Sequence, residues 1–280
     1  MKLFTNILIW IFAILLTGTV LYYQRMTGPT YPQKGNIEVD GQPLDFKLLR
    51  SWEKEKEPGE KSLIPLVEFT GETLNGITAK CEFKKNNTKD EWSVVEMTSE
   101  GDKLIAILPT QPPAGKLAYR IILKKLDKEF VLTEEPTVIR FKDYIPSWIP
   151  FPHVFLIFTA LLLSTMAAVE ALRRGKKVRI YALLAVLSML IGGLMMGPLM
   201  QKYAFGDWWT GWPWGSDLTD TKTMAAFIVW VIAYIVLRIY PKNRFWPVFA
   251  AIITLAIFVI PHSVLGSEFD YSAGEVVTGR

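Results

Sequence analysis

Phe205-Gly206-Asp207-Trp208-Trp209-Thr210-Gly211-Trp212-Pro213-Trp214-Gly215-Ser216-Asp217-Leu218-Thr219-Asp220 separates two apolar runs, each long enough to cross a bilayer. These sixteen residues hold four tryptophans, three glycines, one proline and three aspartates. A passive loop between hydrophobic segments does not need that composition. A bilayer core of about 30 Å takes about 20 helical residues, and the flanking runs, about 180–200 and about 224–240, approach that length. Working outward, three more apolar runs appear, at about 4–23, 154–172 and 245–260. Half of the 280 residues are hydrophobic and the mean hydropathy is +0.24. A soluble domain would spread its apolar residues along the chain, whereas here they are gathered in blocks. The expected fold is an integral membrane bundle of five transmembrane helices with an inserted extracytoplasmic all-β sandwich domain.

The first run follows Lys2 and ends in Leu21-Tyr22-Tyr23-Gln24-Arg25. Its length, its tyrosines and the lack of a small-x-small cleavage site favour an uncleaved anchor over a signal peptide. Residues 1–27 are therefore expected to form an anchor and 28–145 the β domain. Residues 146–262 form a four-helix membrane part with the Trp-rich outer loop at 201–223, and 263–280 form a tail. In the β domain, strand-like segments alternate with turn signals at Asp40-Gly41, Pro58-Gly59, Asn75-Gly76, Asn86-Asn87, Gly101-Asp102 and Ala114-Gly115. Seven or eight short strands at that spacing predict an antiparallel sandwich. The stretch Pro113-Ala114-Gly115-Lys116-Leu117-Ala118-Tyr119-Arg120-Ile121 resembles the penultimate strands of a fibronectin-III or immunoglobulin-like domain. That resemblance covers about residues 33–143, is one of pattern, and implies a fold and no activity.

Basic residues set the expected orientation. Arg173-Arg174-Gly175-Lys176-Lys177-Val178-Arg179 carries five cations in seven residues, and Lys242 and Arg244 sit between the last two runs. Short cationic loops stay cytoplasmic. The amino terminus is then inside, and the β domain, Trp-rich loop and tail lie on the extracytoplasmic face of the cell (inner) membrane. The net charge of +4 belongs to this topology, and no nucleic-acid partner is expected.

His153 follows Pro152 at the start of the second run, and His262 follows Pro261 at the end of the fifth. They are the only two histidines. Imidazole ligates metals and binds haem iron axially. His153 and His262 are candidate ligands for haem b or a transition metal ion, with Asp217, Glu268 and Asp270 as oxygen donors. Trp208, Trp209, Trp212 and Trp214 would wall a flat cofactor. The simpler readings are interfacial histidines bonded to backbone, a tryptophan belt or subunit contact, and Asp217 as a helix cap with Asp220 three residues on. Gly193 and Gly197 give a spacing suited to close helix packing. The absence of Cys-x-x-Cys-His excludes covalent c-type haem by that motif, and Cys81, the single cysteine, has no partner for an internal disulfide. Soluble hydrolase and phosphate-loop motifs are absent. Two function classes follow: a membrane subunit of an electron-transfer complex, or a cofactor-free binding or assembly subunit that docks other membrane or extracytoplasmic proteins. A weaker third is a membrane enzyme acting on a lipid or quinone at the outer interface.

Overall fold

A computed structural model describes residues 2–70 and 76–278 of the chain. Asn75 of the turn signal Asn75-Gly76, and residues 279–280 of the tail, lie outside the described residues. The chain divides into two compact units: Thr30–Tyr144 with Ser267–Val277, and Met1–Pro29 with Ile145–Gly266 and Thr278–Arg280.

The first unit is a curled ten-stranded sheet. Its strands are β1 (Gln33–Val39), β2 (Gln42–Leu48), β3 (Ser51–Glu53), β4 (Lys61–Thr70), β5 (Ile77–Lys85), β6 (Ser93–Glu100), β7 (Lys103–Pro109), β8 (Lys116–Lys125), β9 (Lys128–Val131) and β10 (Thr137–Lys142). The order is β1-β2-β4-β7-β6-β5-β8-β10-β3, with β9 also on β8. The sheet curls at β6, whose Ser93–Met97 half pairs with β5 and whose Thr98–Glu100 half pairs with β7. Side chains alternate across a strand, so one face closes over a single core. In β7, Leu104, Ala106 and Leu108 point inward, and they meet Ile64, Leu66, Phe69, Tyr119 and Phe141 from other strands. Tyr119 carries its hydroxyl into this core and donates it to the Leu49 carbonyl at 2.7 Å, which satisfies the buried polar atom.

Two features differ from the expected antiparallel pattern. β3 crosses to the far edge and runs parallel to β10. The tail also supplies a two-stranded hairpin, β11 (Glu268–Asp270) with β12 (Glu275–Val277). Strands of three residues carry too little alternation to be seen in sequence. The turn signals did mark left-handed backbone: Asp40, Gly41, Gly76, Asn87, Gly101 and Ala114 all have positive φ.

The second unit is helical: α1 (Lys2–Met26), α2 (Pro150–Leu172), α3 (Val178–Ser188), a π segment (Met189–Met195), α4 (Met196–Phe205), α5 (Leu218–Ile239) and α6 (Phe245–Val259). Among the described residues four stretches are long and apolar enough to cross a membrane: Leu3–Met26, Pro150–Leu172, Val178–Phe205 and Leu218–Ile239. The fifth expected span, α6, has 15 residues and is a shorter apolar helix. Its successor is Pro261, whose ring pushes Ile260 into extended backbone and ends the helix there.

The π segment sits where Gly192-Gly193 and Pro198 disturb the regular ladder. Proline has no N–H to donate back along the helix, and the Met196 N–H reaches Ile191 O, five residues back. Gly192 lets α2 come close: a Cβ there would lie 2.5 Å from Leu156 Cβ. A Cβ on Gly193 would lie 2.7 Å from Thr223 Cγ2 of α5. The glycines are thus used for packing within the bundle.

Candidate functional site

The end of the helical unit that carries the Trp-rich loop gathers its buried charged side chains among the described residues, Asp217, Asp220 and Lys222, together with the buried Thr210. It begins with the cap of α5. Asp217 has extended backbone and accepts the Thr219 N–H at 2.8 Å, as an N-cap should. The sequence placed the fourth span from about Met224, with almost no ionisable residues. The cap expected at Asp217 is observed and starts α5 at Leu218, ahead of the apolar run, so Asp220 and Lys222 lie inside the helix, and both are buried.

Asp220 fixes the loop. Its carboxylate accepts the Thr210 backbone N–H at 2.9 Å and the Thr210 hydroxyl at 3.4 Å. The Gln201 amide of α4 fills the gap between them, with its nitrogen 2.9 Å from Asp220 Oδ2 and its oxygen toward the Thr210 hydroxyl. Asp217 N–H donates to Thr210 O at 2.9 Å. Trp212 N–H donates to the Thr221 hydroxyl at 3.0 Å, and Trp209 Nε1–H closes on Trp212 O at 3.1 Å. Gly211 lies flat on α5, where a Cβ would stand 2.4 Å from Asp220 Cβ. The peptide bond between Trp212 and Pro213 is cis. The backbone of the loop is therefore tied to α5 at several points and its Thr210 side chain to α4, while three of its four indoles face outward. Trp208 is 57% exposed, Trp212 59% and Trp214 81%; Trp209 is half-buried.

Lys222 closes the neighbouring helix end. Its ammonium donates to Ile260 O at 2.8 Å and Pro261 O at 3.5 Å, carbonyls left without helical partners at the end of α6. Gln24 of α1 also reaches Ile260 O, at 3.3 Å. Leu218 N–H and Ser263 N–H add bonds to Leu265 O and the Thr219 hydroxyl. The ends of α1, α5 and α6 are thereby joined. Ile145 and Ile149, before α2, pack with Met200 and Ala204 of α4 and bring the start of α2 to the same end.

His153, in the first turn of α2, is half-buried, and its Nδ1 lies 2.8 Å from Gly192 O in the π segment. A carbonyl only accepts, so Nδ1 carries the proton and Nε2 keeps its lone pair. A carbonyl that holds one ring nitrogen in this way orients the other for ligation. His262 lies in the turn after α6 with an exposed side chain, and its carbonyl oxygen would be 3.3 Å from a Cβ at Gly28.

The oxygen donors named from sequence are used elsewhere. Glu268 belongs to the β unit: it is buried, pairs with Lys116 at 2.6 Å and accepts from Asn87 at 3.1 Å. Asp270 Oδ1 accepts the Ser272 and Ala273 N–H groups at 2.9 and 3.2 Å and shapes the tail hairpin. Tyr271 of that hairpin bonds Gln111 Oε1 at 2.8 Å, and burial raises its phenol to about 12. Among the described residues no three of His, Cys, Asp and Glu form a group that could hold a metal ion. A structural or catalytic transition-metal site takes three or four protein donors, so the donor set does not fit a metal ion.

Sequence reasoning missed Gln201, Thr210, Thr221, Lys222, Gln24 and the Gly192 carbonyl. Lys222 stands just before the apolar run at about 224–240, and its place one turn beyond the Asp217 cap was the only signal for it. The Gln201–Thr210–Asp220 contact joins residues of two elements and has no sequence spacing to announce it. Comparison of the chain with protein-family models, with curated proteins and with solved structures finds no match.

Proposed function

We propose that this is a multi-pass integral membrane protein that serves as a cofactor-free binding or assembly subunit. Its Trp-rich loop and its β domain, an immunoglobulin-like or fibronectin-III-like module, would dock partner membrane or extracytoplasmic proteins. The membrane placement is supported by the four long apolar helices and by what the helical unit buries. Its interior is lined by Ala160, Ala167, Ala182, Ala185, Ala226 and Ala250, while Ile180, Leu184, Ile228 and Ile252 face outward. Small residues inside and large apolar residues outside suit helices that pack in lipid. The cationic turns support a cytoplasmic amino terminus, with the β domain and the Trp loop on the extracytoplasmic side.

One observation carries the docking reading: three indoles are exposed on a loop whose backbone is hydrogen-bonded to α5 and whose Thr210 side chain meets Gln201 of α4. Exposed, preorganised tryptophans are the residue type most enriched among energetic anchors of interfaces, because little entropy is lost on contact. The test is the size of the complex extracted from native membranes in mild detergent. The wild-type chain is expected in a complex larger than its own 31.8 kDa. Trp208→Ala/Trp212→Ala/Trp214→Ala should shift it to the free subunit. A wild-type chain that runs alone, or a triple variant that stays in the complex, refutes the docking role.

A second reading is favoured by the His153–Gly192 bond, which leaves Nε2 ready to ligate. In it, His153, with His262, holds haem b in an electron-transfer subunit. Bound haem would supply one-electron redox chemistry; the chain's part is to orient His153 through Gly192. A Soret band lost in His153→Ala would support this reading, and a colourless chain purified without cofactor loss would remove it.

A further inference from the structure

The opposite end of the helical unit is strongly cationic. Arg173, Arg174, Lys176 and Lys177 lie in the α2–α3 turn with Arg179 in the first turn of α3, and Arg238, Lys242 and Arg244 lie at the α5–α6 turn. All but Arg244, which is partly buried, are exposed, and none of the eight forms an ion pair among the described residues. Among the described residues Glu170 is the one carboxylate near them, and it is engaged by the turn itself. Its Oε1 accepts the Lys177 N–H at 3.3 Å and its side chain packs over Gly175, where a Cβ would stand 2.0 Å from Oε1. By contrast, the Trp-loop end balances Arg25, Lys202 and Lys222 with Asp207, Asp217 and Asp220.

The surroundings of these cations identify the partner. Leu172 and Ile180 flank the first turn at 70% and 58% exposure, and Tyr240 and Phe245 flank the second at 65% and 64%. Apolar and cationic side chains exposed side by side, within a turn of the ends of long apolar helices, match the boundary between acyl chains and phosphates. An aqueous acidic protein would not need the interleaved apolar surface. The α2–α3 turn is held in one shape by Gly175 N–H to Glu170 O at 2.8 Å and by Arg173 to the Asn6 side chain of α1 at 3.0 Å. We propose that this end binds anionic phospholipid headgroups of the leaflet it meets, through Arg173, Arg174, Lys176, Lys177 and Arg179. The proposal rests on the membrane placement above. Clustered cations just beyond a membrane helix recognise anionic lipid through the field of several charges and charge-assisted bonds to phosphate.

The test reconstitutes the full chain into phosphatidylcholine vesicles that contain trace spin-labelled phosphatidylglycerol or spin-labelled phosphatidylcholine. Electron paramagnetic resonance then reads the fraction of each label immobilised by protein. At low salt the anionic label should associate severalfold more strongly, and raising salt from about 0.05 to about 0.5 M should bring the two labels close to parity by screening. Arg173→Gln/Arg174→Gln/Lys176→Gln/Lys177→Gln should lose the preference at low salt, and Arg25→Gln/Lys202→Gln at the other end should keep it. The wild-type salt series stands by itself, because losing the turn cations also acts on membrane insertion. Inorganic phosphate at constant ionic strength should leave the preference unchanged; its loss would mean a free-anion site and overturn the proposal. Equal association of the two labels with wild-type protein overturns it as well. A chain that fails to float with the vesicles fails the membrane reading, which separates that outcome from this one.

Discussion

The two units bury opposite kinds of residue. The β unit hides its largest side chains: Tyr119, Phe69, Phe141, Ile64, Leu66 and Leu104 are at most 1% exposed. The helical unit hides mostly alanine, with Trp230 and Phe258 as large rings among them, and turns many isoleucines and leucines outward. Trp230 is tolerated because its indole N–H reaches the Thr254 hydroxyl at 2.9 Å, and that hydroxyl donates in turn to Ala250 O. In water, removing large apolar surface is what stabilises a fold. In lipid that gain between helices vanishes, and close backbone approach and dispersion take its place. On the proposed membrane placement, the contrast is that of one chain written for two solvents.

The strongest test of the water-built half is Phe141→Ala. A buried phenylalanine removed from a packed core costs about 3–5 kcal/mol, so the urea midpoint of the β unit should collapse while the helical signal persists. The comparison itself is sharpened by placing lysine at two isoleucines of similar exposure, Ile228 at 41% in mid-α5 and Ile107 at 50% in β7. Ile228→Lys should cost about 2.5–3.5 kcal/mol in a membrane-insertion assay. Ile107→Lys should change β-unit stability by no more than about 0.5 kcal/mol. Equal penalties would break the two-solvent reading. Asp220→Ala strands the Thr210 N–H and Gln201, at about 1–3 kcal/mol for buried groups left unpaired. Its readout is faster proteolytic cleavage between Trp208 and Trp214 with the helices intact.

The smallest effect at neutral pH concerns Cys81. Burial raises this thiol from 9.0 to about 12. The folded state holds the proton more tightly than the unfolded one, so stability is complete below pH 9 and falls as pH rises from there toward 12. Maleimide should leave Cys81 unlabelled at neutral pH until the β unit unfolds. Rapid labelling of the native chain would show that the core is open.

Legibility differed between the units for a physical reason. A run of twenty apolar residues is a local property, and so is a turn that needs positive φ at Asp40-Gly41 or Ala114-Gly115. Both were readable. The cap at Asp217 was readable as well, since it acts on an N–H two residues away. The burial of Asp220 and Lys222 was not, because both look like loop residues until their partners are known. The tail hairpin and the short β3 were hidden in the same way, since each is held by strands or side chains far away in sequence.

The amino-acid sequence alone determined the apolar blocks, the β-rich insert, the cationic turns and the tryptophan-dense loop, because composition and short-range spacing encode them. Only the tertiary structure decided that Asp220 and Gln201 lock Thr210, that Lys222 caps α6, and that His153 meets the π segment at Gly192. It also assigned Glu268 to Lys116 and Asn87 in the β unit. Those choices depend on which buried polar groups meet across elements, and a buried donor takes whichever acceptor the packing brings within reach.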